Sequence, residues 1–176
     1  DSSQSLSKAK QSAKSNVLFL ARYYDLMKPG GRMAIVIDNS LINSHNFAEY
    51  RKWMLKKFIL RAVVSLPKYS FIQAGAGGVT SILYLEKKSD EAQQQPSVFA
   101  RTVRSTGISK SGKEVEENDL PDVLKEWEQF ERTGKLFLKG KKQIAEKASD
   151  DLFLIRPTEI TDRIDVAYHT PSYAAL

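Results

Sequence analysis

The chain has no cysteine. That absence excludes disulfides and thiolate metal sites and fits a reducing compartment. Histidine is almost as scarce. His45 and His169 stand far apart, with no cluster of carboxylates around them, so no metal centre is expected. Long apolar runs are missing too, and nothing approaches the roughly 20 residues that cross a bilayer. The opening, Asp1-Ser2-Ser3-Gln4-Ser5, lacks the apolar core of a signal peptide. Together these absences predict a cytoplasmic protein with no membrane partner. Ser65 and Ser81 have no base in view, so nucleophilic catalysis finds no support. The first residue is not Met, which leads us to expect an excised piece of a longer chain.

What is present is ordinary in amount and uneven in place. At 176 residues, 41% hydrophobic and 27% charged, the chain can bury one core, or one core with an appendage. Residues 1–88 carry a net charge of +9, residues 89–134 of −4 and residues 135–176 of +1. The basic excess therefore lies in the first half. It favours a polyanionic partner, with a solvated lysine surface as the plainer reading.

Periodicity sets the order of elements. Residues 1–15 are Ser/Lys/Gln-rich and read as a flexible lead-in. A helix is expected over 16–27, where Val17, Leu18, Leu20, Ala21 and Tyr24 recur at helical spacing, and Pro29-Gly30-Gly31 stops it. A buried strand is expected over 32–38, a helix over 47–58 with Tyr50, Trp53, Met54 and Phe58 inward, and a second buried strand over 59–66 ended by Pro67. A third strand, 79–86, follows after too few residues for a comfortable parallel crossover, so it should run antiparallel to a neighbour. Residues 89–96 form a polar linker and 97–104 a further strand. Lys110-Ser111-Gly112-Lys113 reads as a turn. Asn118-Asp119-Leu120-Pro121 opens a helix to about Arg132, with Leu124, Trp127 and Phe130 or Glu131 inward and Gly134 at its end. The acidic stretch 114–131 is taken as a helix, a solvated face with an apolar stripe on the sheet or else a subunit contact. Residues 135–176 read as a basic linker and tail, with one apolar run, Leu152-Phe153-Leu154-Ile155.

The segment richest in chemical suggestion is Pro67-Lys68-Tyr69-Ser70-Phe71, continued by Ala74-Gly75-Ala76-Gly77-Gly78. It is an aromatic, Gly-rich loop between two apolar β runs, able to bring backbone and a ring close to a flat ligand. Because it does not open a helix, it is not a dinucleotide fingerprint. Asp38-Asn39-Ser40 stands at the carboxyl end of a parallel-type strand, where such sheets place ligands, or is merely a helix lead-in.

The run Phe19 to Ile37, through Lys28-Pro29-Gly30-Gly31-Arg32, resembles the later part of an S-adenosylmethionine-dependent DNA adenine-N6 methyltransferase. So do Val63-Val64-Ser65-Leu66-Pro67, Phe71, and Thr80-Ser81-Ile82-Leu83-Tyr84-Leu85-Glu86-Lys87-Lys88. The resemblance is to the modification subunit of type I restriction-modification systems. It is dense over 16–88, weaker over Glu117 to Phe130, and weakest over Arg163-Ile164-Asp165 to Tyr173.

The resemblance implies an α/β fold. Residues 16–88 would be the C-terminal half of a Rossmann-like methyltransferase sheet, its last three strands with the final one antiparallel. Residues 97–134 would add a strand and helix, and 135–176 a tail, as a mixed α+β extension. It implies bacterial or archaeal origin, DNA as substrate, and specificity and restriction subunits as partners. It also implies S-adenosylmethionine as the cofactor of the intact parent. The family's glycine motif and its Asn-Pro-Pro-aromatic motif belong upstream of residue 16, and no Asn-Pro pair occurs in the chain. No catalytic residue is therefore assigned, no cofactor is expected on this chain alone, and inactivity is expected. Phe19 matches the aromatic lining the donor's adenine pocket, or is plain core. Phe71 matches the aromatic that stacks on the extruded target adenine, or is a ring tucked under its own loop. Lys68, Tyr69, Gly75, Gly77 and Gly78 join it as expected DNA or target-base contacts. A non-catalytic DNA-binding or subunit-docking module is the alternative. A further expectation is self-association through a bare edge of strand 32–38.

Overall fold

The structure, a computed structural model, describes residues 15–137, 147–160 and 163–171. The lead-in over 1–14, most of the Lys-rich stretch over 138–146, and Ser172 and Tyr173 of the tail lie outside the described residues.

Helix α1, Ser15–Leu26, turns Leu20, Val17 and Tyr24 to the core. Gly30, at φ +74°, supplies the reversal after it. Gly31 is needed for a different reason, since a Cβ there would lie 2.8 Å from the Lys28 carbonyl oxygen. The chain enters strand β1, Arg32–Asp38, then the short helix α2, Ser40–Asn43, and helix α3, Ala48–Lys57. Strands β2, Phe58–Leu66, and β3, Thr80–Lys87, follow. β3 lies between β1 and β2 and is antiparallel to both, so β1 and β2 run parallel to each other. The expected reversal of the third strand is thus present.

The sheet continues past this point. Strand β4, Val98–Thr102, pairs with β2 in parallel. Strands β5, Thr106–Ile108, and β6, Glu114–Asn118, form a separate hairpin. Helix α4, Leu120–Thr133, ends at Gly134 in the left-handed conformation. Strands β7, Lys147–Ser149, and β8, Leu152–Ile155, complete the main sheet in the order β1-β3-β2-β4-β8-β7. The last element among the described residues is helix α5, Val166–His169.

Two apolar layers cover the sheet. One gathers α1, α2, α3 and the tail over Phe58, Leu60, Val63, Leu83 and Leu85. The other packs Val123, Trp127 and Phe130 of α4 against Ala62, Val64 and Phe99. β2 is buried on both faces, which is why all its residues but Arg61 and Ser65 are apolar.

Two expectations need correction. Leu124 is not inward but 57% exposed. The stripe of α4 runs through Leu120, Val123, Trp127 and Phe130, and Leu124 is rotated off it by one residue's turn of the helix. The acidic residues Glu114 to Asn118 form a strand rather than the start of a helix. Arg51 carries a charge yet is 1% exposed, its guanidinium donating to the carbonyls of Leu41 (3.0 Å) and Ser44 (2.7 Å).

Candidate functional site

Register places one edge of the sheet together. Asp38 at the end of β1 and Leu66 at the end of β2 both pair with Thr80 at the start of β3. The carboxyl ends of the two parallel strands therefore meet at the edge where α/β sheets place ligands. The loop over 67–79 stands on that edge.

The sequence explains the loop's shape. Pro67 has no N–H to continue a ladder, so β2 stops. The Pro67 carbonyl then accepts from the Ser70 N–H (3.0 Å) and hydroxyl (2.7 Å). A short 3-10 turn, Ile72–Ala74, follows. The Phe71 carbonyl accepts from the N–H groups of Ala74 (3.0 Å) and Ala76 (3.1 Å), which folds the loop around Phe71. Gly75, at φ +74°, closes the turn. The far end is fixed by the Asn39 N–H donating to the Val79 carbonyl (3.1 Å) and the Ser81 hydroxyl to Asn39 Oδ1 (2.5 Å).

Phe71 is 38% exposed, so it is not enclosed by its own loop. Lys68 is exposed beside it. A Cβ at Gly75, Gly77 or Gly78 would meet nothing within 4 Å. The backbone there is open to approach from outside. Tyr69 is half-buried, its hydroxyl donating to the Arg104 carbonyl (2.9 Å). Phe19 is not core. It is 54% exposed on α1 and stacks on Tyr23, ring centres 6.3 Å apart. Among the described residues no ring contact joins Phe19 to Phe71. Asp38-Asn39-Ser40 serves as a helix lead-in, with Asp38 Oδ1 accepting from the Ser40 N–H (2.7 Å) at the start of α2.

Sequence reasoning missed what surrounds the loop. The Gln73 side chain donates to the Gly112 carbonyl (2.7 Å), and Ser70 meets Thr106 at 3.5 Å. The signal for this contact was Gly112 itself, which sits at φ +79° with Ile72 Cγ2 only 3.4 Å from where its Cβ would be.

At the opposite end of these strands, charge is held in pairs. Lys56 and Lys57 both reach Glu91, and hydrogen bonding to Lys57 holds that carboxyl below the usual carboxylate range. Arg32 bridges Glu86 of β3 (3.3 Å) and Glu131 of α4 (2.7 Å). Among the described residues no helix is long and apolar enough to cross a membrane, and no three His, Cys, Asp or Glu are grouped to hold a metal ion.

A mixed α/β sheet with a reversed strand between two parallel ones, and an open aromatic loop on their carboxyl edge, defines the class. The particular family follows from the sequence: the N-6 DNA methylase model matches residues 3–155, and the chain belongs to that family. Two solved structures share the fold. One comes from work on complex assembly and conformational transition of the type I R-M system. It is 21% identical with a TM-score of 0.65, over 85% of this chain and 30% of that one. The other is a modification subunit of a putative type I restriction enzyme from Vibrio vulnificus YJ016. It is 18% identical with a TM-score of 0.60, over 85% of this chain and 29% of that one. The chain thus spans less than a third of the length of each. No curated protein matches it.

Proposed function

We propose that this chain is the C-terminal part of the methylase domain of a type I modification subunit. It carries the wall of the DNA cleft that receives the target adenine. The observation that carries the reading is the loop on the carboxyl edge, where an exposed Phe71 stands among glycines open to approach from outside. An enzyme acting on a base in a duplex must extrude it and hold it, and an aromatic face does this at about 1–3 kcal/mol per base. Phe71 supplies that face. Gly75, Gly77 and Gly78 let nucleic-acid backbone come close, and Lys68 contributes charge for phosphate. Tyr69 acts from behind the loop rather than on the base.

The β1-β3-β2 arrangement supports reading these strands as the last three of a Rossmann-like methyltransferase sheet, with β4, β8 and β7 as its C-terminal extension. The intact parent would use S-adenosylmethionine as methyl donor. The residues of this chain do not by themselves fit that cofactor. Phe19 offers one exposed ring, and no glycine-rich turn here opens a helix. The chain alone is accordingly inactive, and no step is routed through the donor. DNA and the specificity and restriction subunits are the partners of the parent.

A docking role is favoured by a second observation. Leu18, Phe19, Tyr23 and Leu26 of α1 are all exposed, an apolar face that no described element covers. In the parent it would meet the rest of the subunit, and in this chain alone it favours self-association.

The test is 2-aminopurine placed at the target adenine of a DNA site bound by a full-length modification subunit carrying this segment. Phe71→Ala is expected to weaken base retention by the stacking energy above. If base extrusion and methylation are both unchanged, Phe71 has no part in holding the base. With the chain alone, calorimetry is expected to detect no micromolar binding of S-adenosylmethionine.

A further inference from the structure

The loop over 67–79 is weakly built from within. Its own hydrogen bonds are those of short turns, and three of its glycines meet nothing that would restrain them. Backbone of this kind opens easily. A ring that must meet a flat base in one pose needs the opposite, a support that fixes it to within a fraction of an ångström.

That support comes from the β5–β6 hairpin and the residues leading into it. Contacts are spread along the loop. Tyr69 donates to the Arg104 carbonyl (2.9 Å), Ser70 meets Thr106 at 3.5 Å, and Gln73 donates to the Gly112 carbonyl (2.7 Å). At the hairpin tip Gly112 faces Ile72, and a Cβ there would stand in van der Waals contact with its methyl group. Phe71 is flanked by these anchors on both sides.

The hairpin is itself rooted. Asp119 accepts from the N–H of Arg104 (2.7 Å) and Ser105 (3.3 Å), and its own N–H returns to the Ser105 carbonyl (2.9 Å). The Ser105 hydroxyl donates to the Glu117 carbonyl. Asp119 directly precedes α4, which is seated on the sheet through Val123 and Trp127. A connected path therefore runs from sheet to α4 to hairpin to loop. Two facts argue that the hairpin's use lies in this contact. Residues Glu114 to Asn118 are all exposed, so they add little to the core. Three of those five are glutamates, unsuited to binding phosphate.

We propose that the β5–β6 hairpin is a brace for the Phe71 loop. Tyr69 and Gln73 are the positioning residues through which it sets the pose of Phe71 against an extruded purine. The functional part rests on the stacking role proposed above, and the mechanical part does not.

Hydrogen exchange of the 176-residue chain tests the mechanical part. Gln73 is exposed, so its replacement does not threaten the fold. In Gln73→Ala the amides of Ala74, Gly75 and Ala76 should exchange faster, by about tenfold for one lost anchor. Amides of β2 and β3 should keep their rates. Gln73→Glu, which retains length but cannot donate to a carbonyl, should do the same. Unchanged exchange in both variants overturns the brace. The functional part is read in a full-length modification subunit carrying this segment, with 2-aminopurine at the target adenine. Gln73→Glu should lower kcat and alter the 2-aminopurine signal several-fold while KM for DNA holds. If neither changes where Phe71→Ala changes both, the positioning role is overturned. If Phe71→Ala is itself silent, the stacking role falls and faster exchange still upholds the brace.

Discussion

The Lys87 ammonium lies 4.0 Å from the centre of the Tyr24 ring and donates to the carbonyls of Tyr24 and Met27 at 2.8 Å each. A strand residue thereby caps the last turn of α1, where helix carbonyls lack partners and the helix dipole is negative. The backbone agrees, since Lys87 and the Gly30-Gly31 turn exchange two hydrogen bonds of 2.8 Å.

Lys87→Met keeps the apolar stem and removes the donor. The expected cost is about 1–3 kcal/mol, from two hydrogen bonds to a charged group and a cation–π contact. A urea midpoint equal to that of the unaltered chain would show that α1 is held by Leu20 and its apolar neighbours alone.

Burial pushes the Tyr50 phenol well above its ordinary value. The folded group stays neutral where the unfolded one, near pH 10, ionises. Its stabilising effect is complete below that pH and is lost as pH rises through and beyond it. Between pH 9 and 11, about one unit either side of that value, the unaltered chain should lose stability more steeply than Tyr50→Phe. Parallel denaturation curves would mean that the phenol ionises inside the fold.

The loop glycines should separate by role. Gly75→Ala forces a side chain into the left-handed region and should cost about 1 kcal/mol. Gly77→Ala and Gly78→Ala meet no protein atom and should be neutral, or stabilising by about 0.4–1 kcal/mol. In a full-length subunit the same two changes should weaken DNA binding. Thermal melts and DNA titrations of the three variants give the comparison, and DNA affinity unmoved by all three would remove the loop from the interface.

The outer edge of β1 pairs with no strand among the described residues, and Val36 on it is 46% exposed. Val36→Lys places a charge there without disturbing the core, as natural edge strands do. Sedimentation at high concentration should show the unaltered chain associating and the variant much less so. A strictly monomeric unaltered chain would rule out pairing through this edge.

The central strands were legible because burial on both faces leaves a largely apolar run, as in Phe58 to Leu66, where Arg61 and Ser65 are the exceptions. The reversed β3 was legible because the link before it is short. The hairpin was not. Glu114-Val115-Glu116-Glu117-Asn118 has no apolar face, so neither strand nor helix periodicity marks it. What makes it a strand is its ladder with β5, Thr106 opposite Asn118 and Ile108 opposite Glu114, which its own residue pattern does not show. Leu124 was misplaced because the stripe through Val123 and Trp127 differs from its own by a single residue. Burial of Arg51 was hidden for another reason: the carbonyls that receive it belong to Leu41 and Ser44, and only the fold brings them near. At the site, residue types pointed to the loop, but which faces stayed open could only be seen once the neighbouring chain was in place.

The end of the described chain is tied to its early part. The Ile164 N–H donates to the Ile42 carbonyl (3.1 Å), and beside it Asp165 is held by Arg163 through two bonds of 2.9 Å and caps α5. A contact that joins residues so distant in sequence closes a very large loop, and its entropy must be met before the contact gives anything back. The tail therefore docks late in folding. During synthesis, α2 and the face of β2 wait with their apolar residues uncovered until Ile164 and Val166 have left the ribosome. Any truncation before Ile164 would prolong that exposure indefinitely, and would be felt as poor recovery of folded protein more than as a loss of any single bond.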